Sequence, residues 1–120
     1  MLTRRLVVLV AALALAGMRA NPAAAEPLER VPAARVCMMN NTVFPNEQIP
    51  VPVDGKTYFG CCEGCKKNLA ENAEARQAID PVSGKTVDKA KAVIGAKTDG
   101  KVLYFESEKT FAAYVKRKSS

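Results

Sequence analysis

The sequence predicts an α+β fold in which two small ββα units pack as one compact domain. Three observations carry this. The same order of segments runs along the chain twice, about 45 residues apart. In each copy an Asp-Gly pair, Asp54-Gly55 and Asp99-Gly100, separates two strand-like stretches, as in a hairpin whose turn needs positive φ. A stretch of helical character then closes each copy.

The first element is read as a removable one. Arg4 and Arg5 precede the apolar run LVVLVAALALAGM, and Ala23-Ala24-Ala25 follows, the pattern of a secretory signal peptide over residues 1–25 cut before Glu26. The run is shorter than the roughly 18 apolar residues of a membrane anchor, so the expected product is periplasmic or secreted, without stable membrane insertion after cleavage. Removing Arg4, Arg5 and Arg19 leaves 95 residues with 15 Lys or Arg and 12 Asp or Glu, a net charge of +3. With the two signs interspersed, that balance speaks against a nucleic-acid partner. Residues 26–35, rich in Pro, Ala and Arg, read as a flexible lead-in.

The first unit spans 36–80. Pro50 and Pro52 alternate with Ile49, Val51 and Val53, so this strand can hydrogen-bond fully on one side only and belongs at an edge. After the turn comes Lys56 to Phe59, then a helix from Glu63 to about Ile79, stopped by Pro81, with Cys62, Cys65, Leu69, Ala73 and Ile79 on one buried stripe. The second unit spans 81–120. It offers strands at Ala92 to Lys97 and Val102 to Phe105, and a helix from Glu108 to about Lys116. Ser107 is its N-cap, Phe111, Ala112 and Val115 form its buried face, and Lys116, Arg117 and Lys118 suit the negative end of the dipole. Tyr58, Phe59, Tyr104 and Phe105 read as hairpin core, and Met38 and Met39 as core gap-fillers.

The absence of His excludes a Ser-His-Asp or Cys-His catalytic set, a His-ligated zinc centre and c-type haem attachment, and no enzymatic activity is expected. Chemistry falls to the four cysteines. Cys37 precedes the first hairpin, while Cys61, Cys62 and Cys65 follow it where a helix begins, and free N–H groups there, with Lys66 and Lys67, favour thiolates. Sulfur ligands select one thiophilic ion, Cu(I) or Zn(II), over Mg²⁺ or Ca²⁺. Adjacent residues alternate in direction, so three thiolates, Cys37, Cys61 and Cys65, are the expected set, with Cys62 as a fourth ligand or a substitute for Cys61. An open coordination position suits capture and hand-over of the ion, with a metal donor or acceptor protein as partner. Two readings compete. Four cysteines in a short exported chain can form two disulfides of an interaction module, although a Cys61–Cys62 bridge would close a strained ring. Cys62-Glu63-Gly64-Cys65 also has the form of a redox C-x-x-C at a helix start, although no βαβ unit precedes it.

The segment CMMNNTVFPNEQIPVPVDGKTYFGCCEGCKKNLAEN resembles the TRASH and YHS family of small cysteine-based metal-binding domains, whose pattern is a Cys, a spacer, and Cys-x-x-x-Cys after an aromatic strand. Cys37, Cys61 and Cys65 match these positions, with a spacer of 23 residues that is slightly long and Gly60 as an apparent insertion. The segment DPVSGKTVDKAKAVIGAKTDGKVLYFESEKTFAAYVK looks like a YHS domain without its ligands, with Ser83, Glu106 and Thr110 where the family has Cys. The resemblance implies a treble-clef-like fold, a role in heavy-metal sensing, trafficking or resistance, and a second unit that binds no soft metal.

Overall fold

A computed structural model describes residues 28–119, so the signal peptide read over 1–25 lies outside the described residues. In chain order, β1 (Glu29–Arg30) and a 3₁₀ turn (Ala33–Arg35) lead to the short pair β2 (Val36–Cys37) and β3 (Thr42–Val43). The hairpin β4 (Ile49–Val53) and β5 (Lys56–Gly60) and the helix α1 (Glu63–Glu71) follow. The same plan then recurs: a 3₁₀ turn (Ala73–Arg76), the pair β6 (Gln77–Ile79) and β7 (Thr86–Asp88), the hairpin β8 (Val93–Ala96) and β9 (Val102–Phe105), and α2 (Glu108–Ser119). The described residues thus form an α+β domain of two helices and small antiparallel sheets.

The two Asp-Gly pairs turn differently. Val53 pairs with Lys56, leaving a two-residue loop in which Asp54 and Gly55 both take positive φ, 51° and 78°, as a type I′ turn requires. In the second hairpin Ala96 pairs with Val102, the loop is longer, and only Gly100 has positive φ, 88°. β4 pairs with β5 alone, with Pro50 and Pro52 exposed on either side of buried Val51, as an edge strand allows.

Three expectations are corrected. First, α1 ends at Glu71 instead of near Ile79. The Asn72 side chain accepts the Glu74 amide at 3.0 Å and starts a new turn, and Arg76 Nη1 reaches back to donate to the Leu69 carbonyl at 2.8 Å. The chain then pairs as β6 with β7, which leaves Ile79 61% exposed and Leu69 as the one buried residue of α1. Second, Ser107 caps α2 as expected, its Oγ accepting the Thr110 amide, but the inward face is Thr110, Phe111 and Tyr114. Phe111 and Tyr114 stand edge-on to Phe105 with centroids 5.4 and 5.5 Å away, and Ala112 and Val115, turned away from that ring, are exposed. Third, the lead-in read as flexible contributes a strand. β1 pairs with β8 at the edge of the β8–β9 sheet, and Arg30 forms an ion pair with Glu108.

One core serves both halves. Val36, Met38, Val51, Tyr58 and Leu69 cluster with Val87, Ile94, Ala96, Val102 and Tyr104. Of the aromatic residues expected in the hairpin core, Tyr58, Tyr104 and Phe105 are buried and Phe59 is half-buried.

Candidate metal centre

The register Cys37↔Thr42 ends β2 and closes a loop of four residues, Met38 to Asn41, which turns at Asn41 with φ 51°. The Met38 amide donates to the Phe59 carbonyl at 2.8 Å, which sets this loop beside the end of β5. β5 finishes at Gly60, where a Cβ would stand 2.9 Å from Cys65 Cβ and 3.3 Å from the Lys66 nitrogen. The first turn of α1 therefore lies directly on the strand end. What reads in the sequence as an insertion is the residue that permits this approach. Cys61 follows at once, and Cys62 is the N-cap of α1, its Sγ accepting the Cys65 amide at 3.4 Å.

These elements bring Cys37, Cys61 and Cys65 together, with their three Sγ atoms all within 4.8 Å of one another. Cys37 Sγ lies 3.9 Å and Cys61 Sγ 3.7 Å from Cys65 Sγ. Three sulfurs about 2.3 Å from one ion are about 3.8 to 4.0 Å apart, so the group can accept a soft ion with little movement. Cys37 is buried, Cys65 half-buried and Cys61 exposed, so the cluster opens to solvent on the Cys61 side. Cys62 stands outside the group. Its Sγ is 3.3 Å from Cys65 Sγ, but it is exposed on the helix start, not buried on the stripe the sequence suggested. All four thiols are free.

The thiols are not equivalent. Burial pushes Cys37 up, but the amides of Asn40, Met39 and Cys61 and the Cys61 thiol outweigh it and hold the group below its ordinary value. The neighbouring Cys37 thiol pushes Cys61 up. Burial and its three sulfur neighbours push Cys65 up to about 12. Cys62 is held down, first by the Cys65 amide. Cys37 and Cys62 are thus held toward the thiolate, and Cys61 and Cys65 toward the thiol.

Three further residues shape the site. Asn40 Nδ2 donates to Cys61 Sγ at 3.4 Å. Lys89 Nζ, from the second half, donates to the Met38 carbonyl at 2.6 Å and to Asn41 Oδ1 at 3.1 Å. The Tyr104 hydroxyl donates to the same Asn41 oxygen at 2.9 Å. Sequence reasoning missed all three. Asn40-Asn41 in a tight loop carries a faint signal of positive φ, whereas Lys89 and Tyr104 reach the loop only through the tertiary fold.

The second half repeats the cradle with other chemistry. The Asp80 amide donates to the Lys85 carbonyl at 2.9 Å, closing a four-residue loop in which Gly84, φ 73°, stands where Asn41 stands in the first. Asp80 thus occupies the place of Cys37, which corrects the assignment of that place to Ser83. Its carboxylate accepts from the amides of Val82 at 2.7 Å, Ser83 at 3.1 Å and Glu106 at 2.8 Å. These are the counterparts of the Met39, Asn40 and Cys61 amides that hold Cys37. Ser83 Oγ instead donates to Glu106 Oε2 at 3.0 Å. No family model, no curated protein and no solved structure matches the chain.

Proposed function

We propose that this protein is an exported, non-enzymatic carrier of one soft metal ion, Cu(I) or Zn(II), bound by the thiolates of Cys37, Cys61 and Cys65. The observation that carries the reading is the convergence of these three sulfurs, from a strand end, a strand–helix junction and a helix start, at separations fitting a shared ion. Sulfur-only ligation with an exposed edge suits Cu(I) and its transfer to a partner protein by ligand exchange, and Zn(II) is the alternative ion. Cys62, whose Sγ lies 3.3 Å from Cys65 Sγ, is the fourth ligand or the substitute for Cys61 in this reading. The resemblance to TRASH and YHS domains supports a treble-clef-like metal unit over 36–80 and an unliganded YHS-like unit over 81–120. The signal-like residues 1–25 support a periplasmic or secreted location.

Elemental analysis with thiol titration, on protein isolated anaerobically, tests this. The expected result is about one copper or zinc ion per chain, thiols released on chelation, and loss of the ion in Cys37→Ser but not in Ser83→Ala. Full metal stoichiometry in Cys37→Ser overturns the site. The close approach of Cys62 to Cys65 favours a second reading, a C-x-x-C disulfide. That reading requires instead no metal, and at least one bridge in place of free thiols.

A further inference from the structure

Lys89 is an unusual residue to find inside this protein. It is 6% exposed, and it takes part in neither of the ion pairs Arg30–Glu108 and Lys56–Asp88 found among the described residues. Its hydrogen bonds run to neutral acceptors, the Met38 carbonyl and Asn41 Oδ1, and its Nζ lies 5.2 Å from the centre of the Tyr104 ring. An ammonium out of water is costly unless an opposite charge faces it. Its carboxylate neighbour in the chain, Asp88, is engaged by Lys56, Tyr58 and the Ala90 amide. Burial holds the Lys89 ammonium below its ordinary value, and the acidic group that opposes this is Cys37. Met38, whose carbonyl Lys89 grips, directly follows Cys37.

Resting on the metal-binding reading above, we infer that Lys89 is a built-in countercation, a positioning residue that holds the Cys37 loop and favours a cysteine centre of high negative charge, and so Cu(I) over Zn(II). The charge arithmetic gives the inference its signature. Three thiolates with Cu(I) carry a net charge of −2, and with Zn(II) a net charge of −1. Measured from the protonated, metal-free thiols, a fixed positive charge stabilises the first about twice as strongly as the second, whatever the local dielectric constant. A residue that merely braced the loop would support both ions alike. The second half of the chain thereby has a part in the chemistry of the first, although it brings no ligand.

The test is the affinity of the purified protein for Cu(I) and for Zn(II), each measured anaerobically against a chromophoric chelator, in the wild type, Lys89→Met and Lys89→Gln. Met removes the charge and the donor. Gln removes the charge but retains a donor for the Met38 carbonyl, and serves as the working variant if Met disturbs folding, which circular dichroism monitors. In both variants the expected loss is about 10-fold for Zn(II) and about 100-fold for Cu(I). Equal losses for the two ions, or Gln matching the wild type while Met does not, overturn the countercation role and leave a structural one. Unchanged affinities in both variants overturn the inference outright while the metal site stands. Failure of the wild type to bind either ion overturns the metal reading itself, and the inference with it.

Discussion

A cysteine sulfur and a carboxylate sit in equivalent surroundings of backbone amides, one at Cys37 and one at Asp80. For Asp80, burial pushes the carboxyl up, but the donors from Glu106, Thr110, Ser83 and Val82 outweigh it and hold the group below its ordinary value of 3.8. A carboxylate held low in the folded state stabilises the fold fully above that value, and the contribution fades as pH falls through the lower folded value. Asp80→Asn turns one acceptor oxygen into a donor that faces an amide. It should cost about 2 to 4 kcal/mol near neutral pH, and less as pH is lowered through the acid range. Urea unfolding of both proteins between about pH 2 and pH 6 measures this, with the two stability curves drawing together toward acid. Curves that stay parallel would show that the Asp80 charge carries none of the stability.

Strand ends and helix starts place the sulfurs, so small changes at their junctions should act on metal binding more than equal changes elsewhere. Gly60→Ala puts a Cβ 2.9 Å from Cys65 Cβ and 3.3 Å from α1 backbone, which obliges the first turn of α1 to shift. It should cost about 1 to 3 kcal/mol and weaken the metal affinity. Gly55→Ala is the comparison, because its Cβ would meet nothing within 4 Å and only its φ of 78° is unfavourable. It should cost about 1 kcal/mol and leave the affinity unchanged. Denaturant melts paired with metal titrations separate the two, and an unaltered affinity in a folded Gly60→Ala protein would refute the junction argument. The hairpins, the proline edge and the Ser107 cap were legible in the sequence because each rests on local chemistry, and the grouping of Cys37 with Cys61 and Cys65 was legible from spacing. The end of α1 was not. Residues Ala73, Glu74 and Ala75 are good helix formers, and what stops the helix is the Asn72 cap, Arg76 reaching back to Leu69, and the pairing of β6 with β7. The strand β1 was hidden for a similar reason, since its partner β8 lies more than sixty residues onward.

Across the whole molecule the two halves interlock at the loop that follows Cys37. The Asn41 carbonyl accepts the Val102 amide at 2.8 Å, its side chain receives Lys89 and Tyr104, and the Val43 amide donates to the Gly100 carbonyl at 2.9 Å. The halves nevertheless keep the same cradle, so ligand identity, and not backbone, separates a sulfur centre from a carboxylate knot. Asp80, Glu106 and Thr110 stand where Cys37, Cys61 and Cys65 stand in the first half, each pair with the same neighbours in the hairpin–helix plan. Replacing all three, Asp80→Cys, Glu106→Cys and Thr110→Cys, should therefore create a second soft-metal centre, since the amides of Val82, Ser83 and Glu106 that now hold a carboxylate can hold a thiolate. Lys89 is the one buried lysine among the described residues, and it serves the first loop, so the new centre lacks a countercation of that kind. It should bind Cu(I) about 100-fold more weakly than the first centre, the factor expected from Lys89 removal. Anaerobic titration should find two ions per chain in the triple variant, a tight one and a weaker one, and only the weaker one when Cys37→Ser is added. A triple variant that keeps the native circular dichroism but takes up no second ion would show that the two cradles are alike in backbone only, and that the first depends on features the second half does not share.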